Sequence, residues 1–371
     1  MCYFLGMRSR VLVVGCGGIG GVVSATLAEH AAVSGGAIDL VALTTNESIA
    51  SAVHDRGFRV RGQDGSRTVR GNVVSSLPDD IEPFDFVLLA TQPPQVEEAA
   101  RSVQRFLARD GAMVCFQNGL CETRIERLFP AGEGRDRVIG AVVAWGASMP
   151  EPGVYERTSA GGFVIGRMDG ADDPRLAALD AVLEPIGPVT VSRNLAGARW
   201  SKLAINCAIS TLGTLGGARL GALMTQRFVR RLALEIMTEV VAVARAENVR
   251  LEKVSGTIDL DWIALTPDER RARGSAGLVA KHSMLLAVGA RYRRMRSSML
   301  AAIERGRTPA VDFLNGEVVT RGAAHGIPTP VNAEAQRLVH ALARKEMAPG
   351  MDVVQTLARF AAESTGGAPD L

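Results

Sequence analysis

Lys202 and Asn206 stand four residues apart in the largely apolar run 199–207. In a helix, side chains four residues apart project from the same face, so an ammonium and a carboxamide would point to one region. The chain has 42 basic residues but only four lysines, and a lysine, unlike an arginine, can release a proton near neutral pH. A lysine reaching from a buried helix to water, beside an asparagine that caps a loop, would explain the pair equally well when it is taken alone. The start of the chain favours the chemical interpretation.

A glycine-rich turn directly follows the first predicted strand, at 10–14. In the pattern GxGxxG the first glycine permits a tight turn, the second lets the backbone approach a pyrophosphate, and the third lets the next helix pack on the strand. The amides at the start of the helix predicted over 22–32 would then bind phosphate oxygens. The pattern predicts a dinucleotide site rather than a purely structural turn. Its residues are Gly15, Cys16, Gly17, Gly18, Ile19 and Gly20.

A second strand, predicted over 38–43, ends at Thr44, Thr45 and Asn46, with Glu47 one residue further. In dinucleotide-binding folds a carboxylate at this strand end binds the ribose diol of NAD(H), whereas other groups accommodate the 2'-phosphate of NADP(H). Hydroxyl and amide groups can donate hydrogen bonds to a phosphate, and the strand end itself carries no carboxylate. The pattern therefore favours NADP(H) as cofactor and leaves NAD(H) open.

The length of 371 residues exceeds a typical single domain, and the residues are 47% hydrophobic but only 5% aromatic. Strand patterns dominate up to residue 194, and apolar residues at helical spacing follow. We predict an α/β fold with a Rossmann-type NADP-binding domain over 8–194 and an all-helical substrate domain over 195–365. Further strands are predicted at 86–90, 113–116, 138–143, 162–165 and 189–192, with a turn at Gly153. Helices are predicted at 227–246, 278–303, 311–324 and 333–343, with a polar interruption at 256–276.

The formal net charge is only +3, and the arginines are dispersed except at 291–296, which we interpret as a solvated helix face. No nucleic-acid or membrane partner is expected, because no apolar run is long enough to span a membrane and residues 1–7 are too short for a secretory signal. Five cysteines are an odd number without metal-ligand spacing, and the five histidines form no cluster. The sequence therefore predicts a reduced, cytoplasmic protein without a metal site, acting on a small molecule. A homodimer is left open.

An N-terminal dinucleotide-binding domain followed by a helix that carries Arg-Trp-x-Lys-Leu-x-x-Asn, from Arg199 to Asn206, resembles the ketopantoate reductase family. The resemblance extends over nearly the whole chain. Two further motifs agree with it: Ser297 and Ser298 begin a Ser-Ser-Met-Leu sequence, and Asp312 begins an Asp-Phe-x-Asn-Gly sequence.

The resemblance implies roles for individual residues. In the family the GxGxxG turn binds NADPH, and Thr45, Gln92, Asn118 and Ala147 stand at further cofactor positions. The lysine that corresponds to Lys202 donates a proton as hydride reaches the ketone carbon, because a nearby ammonium stabilises and then protonates the oxygen on which negative charge develops. The residues implied to contact the substrate are Asn118, Asn206, Ser210 and Ser298. The resemblance also implies a place in pantothenate biosynthesis.

Several positions depart from the family pattern. Ala310 stands where a glutamate meets the cofactor or substrate, Ser210 and Leu220 replace asparagines, and Thr45 and Gln92 replace basic residues. Losing one charged hydrogen bond costs roughly 1.5–3 kcal/mol, so these losses favour a substrate other than ketopantoate, such as a less polar 2-oxo acid. On a continuous helix, Asp312 would point away from the face of Ala310, whereas Glu317 would lie on that face and could serve a repositioned ligand.

Three hypotheses stay open at this point. The first is an NADPH-dependent reductase of ketopantoate or a related 2-oxo acid, and the second is an oxidoreductase acting on an imine or an opine-like amino acid. The third is a nucleotide-binding homologue without turnover, as Ala310 would allow. The segment 256–276, longer than expected for the family, could shape the substrate site or form a dimer contact.

Overall fold

The computed structural model describes residues 8–62, 65–253, 258–272 and 274–366. The chain divides into two compact units. The first contains the residues up to Gln117 together with Cys121–Leu195, and the second contains Asn118–Leu120 together with Ala196–Leu371. The predicted fold class, a Rossmann-type α/β domain followed by a helical domain, is confirmed.

Strands in the described part of the first unit form an eight-stranded and a four-stranded sheet. In chain order they are β1 (Ser9–Val14), β2 (Ile38–Leu43), β3 (Phe58–Gly62), β4 (Gly65–Val69), β5 (Val73–Val74), β6 (Phe84–Leu89), β7 (Leu107–Cys115), β8 (Val138–Val143), β9 (Ala147–Glu151), β10 (Val154–Arg157), β11 (Phe163–Gly166) and β12 (Val189–Val191). The helices of this unit are α1 (Gly18–Val33), α2 (Glu47–Arg56), α3 (Val96–Val103), α4 (Glu122–Glu126), α5 (Gly134–Arg137) and α6 (Arg175–Leu183).

The large sheet has the order β12-β11-β8-β7-β6-β1-β2-β5. Strands from β5 to β8 run parallel, and β11 pairs antiparallel with β8. Its central strands are buried apolar runs, as expected for parallel strands covered on both faces. The chain leaves β1 first towards β2 and later returns on its other side at β6. The carboxyl ends of β1 and β6 therefore flank the switch point where ligands bind in open α/β sheets.

The small sheet, in the order β4-β3-β10-β9, was not foreseen. At this position the sequence indicated only a turn at Gly153, which the structure places between β9 and β10 with φ +75°. These strands have only four or five residues and no sustained apolar pattern, as in the partly exposed β9, so the sequence did not reveal them.

The second unit is helical. Its helices are α7 (Leu195–Gly216), α8 (Leu220–Thr225), α9 (Arg227–Ala246), α10 (Leu260–Ile263), α11 (Pro267–Arg271), α12 (Ala276–Arg291), α13 (Ser298–Glu304), α14 (Asn315–Ala324), α15 (Pro330–Ala343) and α16 (Met351–Thr365). Helix α9 is largely buried and contacts α8, α10, α12, α14, α15 and α16. Within the residues that the structure describes, no helix is long and apolar enough to cross a membrane.

The continuous helix predicted at 278–303 is wrong. Helix α12 ends at Arg291, and α13 begins only at Ser298. The intervening backbone is used by a neighbouring element, since the amide of Leu220 donates to the carbonyl of Met295 at 3.0 Å. The side chain of Ser297 then caps α13 by accepting from the amide of Leu300. Apolar spacing alone could not reveal this break.

The helix predicted at 311–324 is also interrupted. A 3-10 turn covers Ala310–Phe313, and Leu314, with φ −114° and ψ −97°, separates it from α14. Because Leu314 interrupts the helix, Ala310 and Glu317 do not lie on one continuous helix face, and that prediction is wrong. In the polar segment predicted at 256–276, the described residues contain α10 and α11, while residues 256, 257 and 273 lie outside the described part.

Candidate active site

The turn between β1 and α1 requires glycine at two positions. Gly15 has φ +98°, and a Cβ there would lie 3.0 Å from the backbone nitrogen of Thr91. A Cβ at Gly20 would lie 1.8 Å from the carbonyl oxygen of Gly15, so α1 can approach the strand only with glycine at this point. Beside Gly17, by contrast, no described atom lies within 4 Å of the Cβ position. The turn thus leaves room for a ligand at the glycine whose backbone is expected to approach a pyrophosphate.

Cys16 is in this turn, but its side chain faces the protein interior. The thiol is fully buried, 3.8 Å from the carbonyl oxygen of Leu43. Burial raises the pKa of Cys16 to about 12. The carbonyl oxygen of Cys16 accepts a hydrogen bond of 3.3 Å from the hydroxyl of Tyr155 in β10. A cofactor could therefore contact Cys16 through its backbone amide, and the thiol is excluded as a nucleophile at neutral pH.

Ala147 lies against the start of α1, although 129 positions separate it from Gly18 in the chain. A Cβ at Gly18 would be only 2.7 Å from the carbonyl oxygen of Ala147. The next turn of the helix is equally close to β10, because a Cβ at Gly21 would overlap the ring of Tyr155. The structure thus brings two predicted cofactor positions, Gly18 and Ala147, together. Tyr155, which supports this turn, was missed by the sequence analysis.

The end of β2 presents hydroxyl and amide groups. Thr45 and Asn46 are exposed, and the Asn46 side chain caps α2 by accepting from the amide of Ile49 at 3.2 Å. The short strand β5 pairs with β2 in parallel, with Val74 opposite Leu43, so the exposed Ser75 and Ser76 leave the sheet beside Thr44. These two serines add hydroxyl donors at the expected 2'-phosphate position. They were missed because β5 has only two residues.

The carboxyl ends of β6 and β7 are tied together by Gln117. Its amide nitrogen donates to the carbonyl oxygens of Leu89 at 2.9 Å and Thr91 at 3.2 Å. Thr91 is the residue against which Gly15 packs, so Gln117 helps to fix the turn. Gln92, a predicted cofactor position, is exposed and precedes the 3-10 turn Pro93–Gln95. Gln117 itself was not predicted to have a role, although its neighbour Asn118 was.

In the second unit, α7 carries Lys202 and Asn206 one turn apart, and both side chains are half-buried. The Nδ2 atom of Asn206 is buried and has no hydrogen-bond partner within the described part of the protein. Beside Lys202, Ser201 is fully buried, and its hydroxyl donates to the carbonyl oxygen of Glu252 at 2.7 Å. This bond ties α7 to the segment that follows α9. Because its Nδ2 atom has no partner among the described residues, the Asn206 amide is available to an oxygen atom of a ligand.

Ser297 connects Ser210 to Ser298, because it bonds to the backbone of Ser210 and precedes Ser298 in the chain. The buried hydroxyl of Ser297 donates to the carbonyl oxygen of Ser210 and is 2.8 Å from the hydroxyl of Thr214. A Cβ at Gly213 would contact the Cβ of Ser297 at 3.2 Å. Ser297 thus holds the start of α13 against α7, which leaves Ser298 as the exposed first residue of α13.

Asn118 precedes a second strained glycine. Gly119 has φ +93°, and a Cβ there would lie 2.4 Å from the carbonyl oxygen of Phe313. The turn that carries the exposed Asn118 is therefore packed against the 3-10 turn that contains Ala310. Only glycine at position 119 permits this approach.

A network of buried hydrogen bonds supports α7. The amide of Asn315 accepts from the hydroxyl of Thr211 at 2.6 Å and donates to the carbonyl oxygen of Cys207 at 3.2 Å. It also donates to Asn332, whose own amide donates to Glu239 at 2.7 Å. Burial raises the pKa of Glu239, although its carboxylate also accepts from the backbone amides of Val331 and Asn332. These hydrogen bonds link α7, at Cys207 and Thr211, to α9, α14 and α15.

Glu317 does not match its predicted role. Its carboxylate accepts a hydrogen bond of 2.7 Å from Arg321, which also makes two hydrogen bonds of 2.9 Å to Glu247. Glu317 is buried in this ion-pair network, so the hypothesis that it serves a repositioned ligand is not supported by its surroundings. In the described ranges, no group of three or more His, Cys, Asp or Glu side chains could hold a metal ion.

The glycine turn at the switch point of a doubly wound sheet, followed in the chain by a helical unit, defines the class of dinucleotide-binding α/β oxidoreductases. The chain belongs to the ketopantoate reductase PanE/ApbA family. The model of that family matches residues 11–170, and the model of its C-terminal part matches residues 194–343.

Individual relatives agree. The 2-dehydropantoate 2-reductase of Halobacterium salinarum is 30% identical over 325 residues, which are 87% of this chain and 95% of that protein. The crystal structure of a PanE/ApbA family ketopantoate reductase from Ralstonia eutropha JMP134 has a TM-score of 0.70 and 26% identity, with 91% of this chain and 99% of that chain covered. D-mandelate dehydrogenase, in its ternary structure with NADH and anilino(oxo)acetate, has a TM-score of 0.73 over 91% of this chain and 98% of that chain. At 17% identity this last likeness shows the fold alone.

Proposed function

We propose that this protein reduces a 2-oxo acid to the 2-hydroxy acid with NADPH, and that Lys202 donates the proton. The curated relative named 2-dehydropantoate 2-reductase supports this reaction class. The observation that carries the proposal is in α7, where Lys202 and Asn206 share a face and the buried Asn206 Nδ2 has no partner among the described residues. A buried amide nitrogen without an acceptor costs about 1–3 kcal/mol, so a substrate oxygen would stabilise it.

The residues of the first unit fit NADP(H). The open side of Gly17 suits a pyrophosphate, and Thr45, Ser75 and Ser76 supply hydroxyl donors for a 2'-phosphate. Ala147, Gln92 and, in the second unit, Asn118 complete the proposed cofactor positions, and NAD(H) stays the second choice. When bound, the reduced nicotinamide supplies hydride.

The side chains of the second unit would handle the oxygen atoms of the substrate. The Lys202 ammonium would stabilise negative charge on the carbonyl oxygen and then protonate it. Asn206 would donate to that oxygen or to a neighbouring hydroxyl. Ser298, with Ser210 and Asn118 at the adjacent turns, would bind the carboxylate. We further propose that the reaction belongs to pantothenate biosynthesis or a related cytoplasmic pathway, with no nucleic-acid partner and with a homodimer as the assembly to test.

The test is a panel of 2-oxo acids and imines, with ketopantoate included, assayed by the loss of NADPH absorbance. We expect turnover of at least one 2-oxo acid and none of the imines. Turnover restricted to imines or amino-acid condensation products would favour the second hypothesis. NADPH binding without oxidation on any compound would indicate a nucleotide-binding homologue and contradict the proposal.

Gly17→Ala should weaken NADPH binding by roughly tenfold without destabilising the fold. No described atom lies within 4 Å of the added Cβ, so the fold tolerates it, but the methyl group would occupy space that a pyrophosphate needs. Fluorescence titration with NADPH and thermal unfolding measure the two effects. The matched control is Gly274→Ala, whose Cβ position is equally open. Equal affinities in both variants would remove Gly17 from the cofactor site.

A further inference from the structure

The segment 291–310, which joins α12 to the 3-10 turn at Ala310, is strongly basic. It contains six arginines and a single glutamate, which gives a formal charge of +5, whereas the whole chain carries only +3. The two ends of α13 are therefore flanked by arginines in a protein whose charge is otherwise nearly balanced. A cluster of like charge raises the local concentration of oppositely charged ligands.

The arginines of this segment are mostly uncompensated. Arg296 pairs with Glu304. For the other five, no ion pair with an acidic side chain occurs among the residues that the structure describes. These five are all exposed: Arg291, Arg293, Arg294, Arg305 and Arg307.

The backbone of the segment is fixed beside the proposed substrate residues. The amides of Leu220 and Gly221, at the start of α8, donate to the carbonyl oxygens of Met295 at 3.0 Å and Arg293 at 3.4 Å. Ser297 is bonded to the carbonyl of Ser210 in α7. The arginines before α13 thus lead directly into Ser298, and those after it lead into Ala310. The basic segment therefore adjoins Ser298 and, through the hydrogen bond of Ser297, Ser210 of α7.

The single acidic residue of the segment, Glu304, is paired with Arg296. Position 310, at the end of the segment, is an uncharged alanine. Asp312, in the same 3-10 turn, is engaged by the Nε2 atoms of His340 at 2.7 Å and Gln336 at 2.6 Å. The hydrogen bonds lost relative to the family pattern favoured a less polar substrate. The positive charge of the segment instead favours a substrate with more negative charge.

We infer that the preferred substrate carries a second anionic group and belongs to the 2-oxo dicarboxylates, with the basic segment 291–310 binding the distal carboxylate. This inference rests on the proposed reduction of a 2-oxo acid. Ser298 and Asn206 bind the reacting end of the substrate, and the arginines attract the other end. Because the arginines are exposed, their contribution is sensitive to salt.

The test compares isosteric substrates. At low salt we expect kcat/KM for 2-oxoglutarate to exceed that for 5-methyl-2-oxohexanoate by about tenfold, and the ratio to fall several-fold when the ionic strength reaches roughly 0.3 M. The same preference should appear in binding. When the protein loaded with NADP+ is titrated calorimetrically with each compound, N-oxalylglycine should bind more tightly than N-isobutyloxamate. Equal values for both pairs at low salt would overturn the inference and leave the proposed reaction intact. If no 2-oxo acid were reduced and no oxamate bound, the proposed function itself would fail.

Variants assign the preference to the segment. Arg293→Glu with Arg294→Glu should abolish the dicarboxylate preference in both assays. Arg109→Glu with Arg359→Glu makes the same change in overall charge at exposed arginines outside the segment and should keep it. Ala310→Glu should weaken N-oxalylglycine binding about tenfold and N-isobutyloxamate binding less than twofold. If the double variant in the segment kept the dicarboxylate preference as its control does, the assignment would be overturned. It would also be overturned if the double variant kept that preference and lost binding to duplex DNA instead.

Discussion

Lys202→Ala should lower kcat by roughly 10²- to 10⁴-fold, the usual contribution of a positioned proton donor. Affinity for NADPH should change less than about threefold, because the proposed cofactor positions other than Asn118 lie in the other unit. Lys202 is on α7, which the hydrogen bond from Ser201 to the carbonyl of Glu252 helps to hold in place. Removal of its side chain should therefore leave the helix in place. Stopped-flow reduction and fluorescence titration separate the two effects.

Two further variants sharpen this result. Lys202→Arg keeps the positive charge but cannot release a proton near neutral pH. Its kcat should therefore stay low, as in Lys202→Ala, while its KM for the substrate should stay near the wild-type value. Lys253→Ala removes an exposed lysine of the second unit and should change neither parameter. If Lys202→Ala reacts as fast as the Lys253→Ala control, Lys202 has no part in the reaction.

Asn332→Ala should reduce the free energy of unfolding by about 2–4 kcal/mol, because it leaves buried polar groups without partners. The Asn332 amide donates to Glu239 and to the carbonyl of Ile236, and its oxygen accepts from Asn315. Chemical denaturation measures the loss. The exposed Gln355→Ala provides the control and should cost less than about 0.5 kcal/mol.

The loss should also depend on pH. Burial raises the pKa of Glu239 above that of an unfolded glutamate, so the folded state binds its proton more tightly. The stability from this group is present at low pH and is lost as pH rises from the ordinary glutamate range through the folded pKa. Removal of the Asn332 donor raises that pKa further, so the difference between wild type and variant should grow from pH 4 to pH 8. A difference independent of pH would show that Glu239 is not coupled to Asn332.

The sequence predicted the fold best where one local pattern decides the structure. The strand at 38–43 and the helix at 227–246 coincide with β2 and α9, since β2 is a short, mostly apolar run and α9 has a clear helical apolar period. The helix at 278–303 failed because main-chain bonds from α8, which no periodicity encodes, fix the break after Arg291.

The candidate site divides in a similar way. Glycine at positions 15 and 20 followed from a motif with a backbone requirement, and its geometry has the expected close approaches. The supporting residues Gln117, Tyr155 and Asn332 bond to partners more than 20 positions away, so nothing in the neighbouring sequence indicates them. The roles of Lys202 and Asn206 remain predictions that the variants above test.

The connection between α12 and α13 is held through its main chain, since the carbonyl groups of Arg293 and Met295 are the atoms that the amides of α8 contact. Such anchoring is indifferent to which side chains the segment bears. Mutation could therefore change the chemistry presented there over evolutionary time without loosening the scaffold. Descendants of one ancestral enzyme would acquire new specificities at this loop sooner than at the closely packed glycine turn.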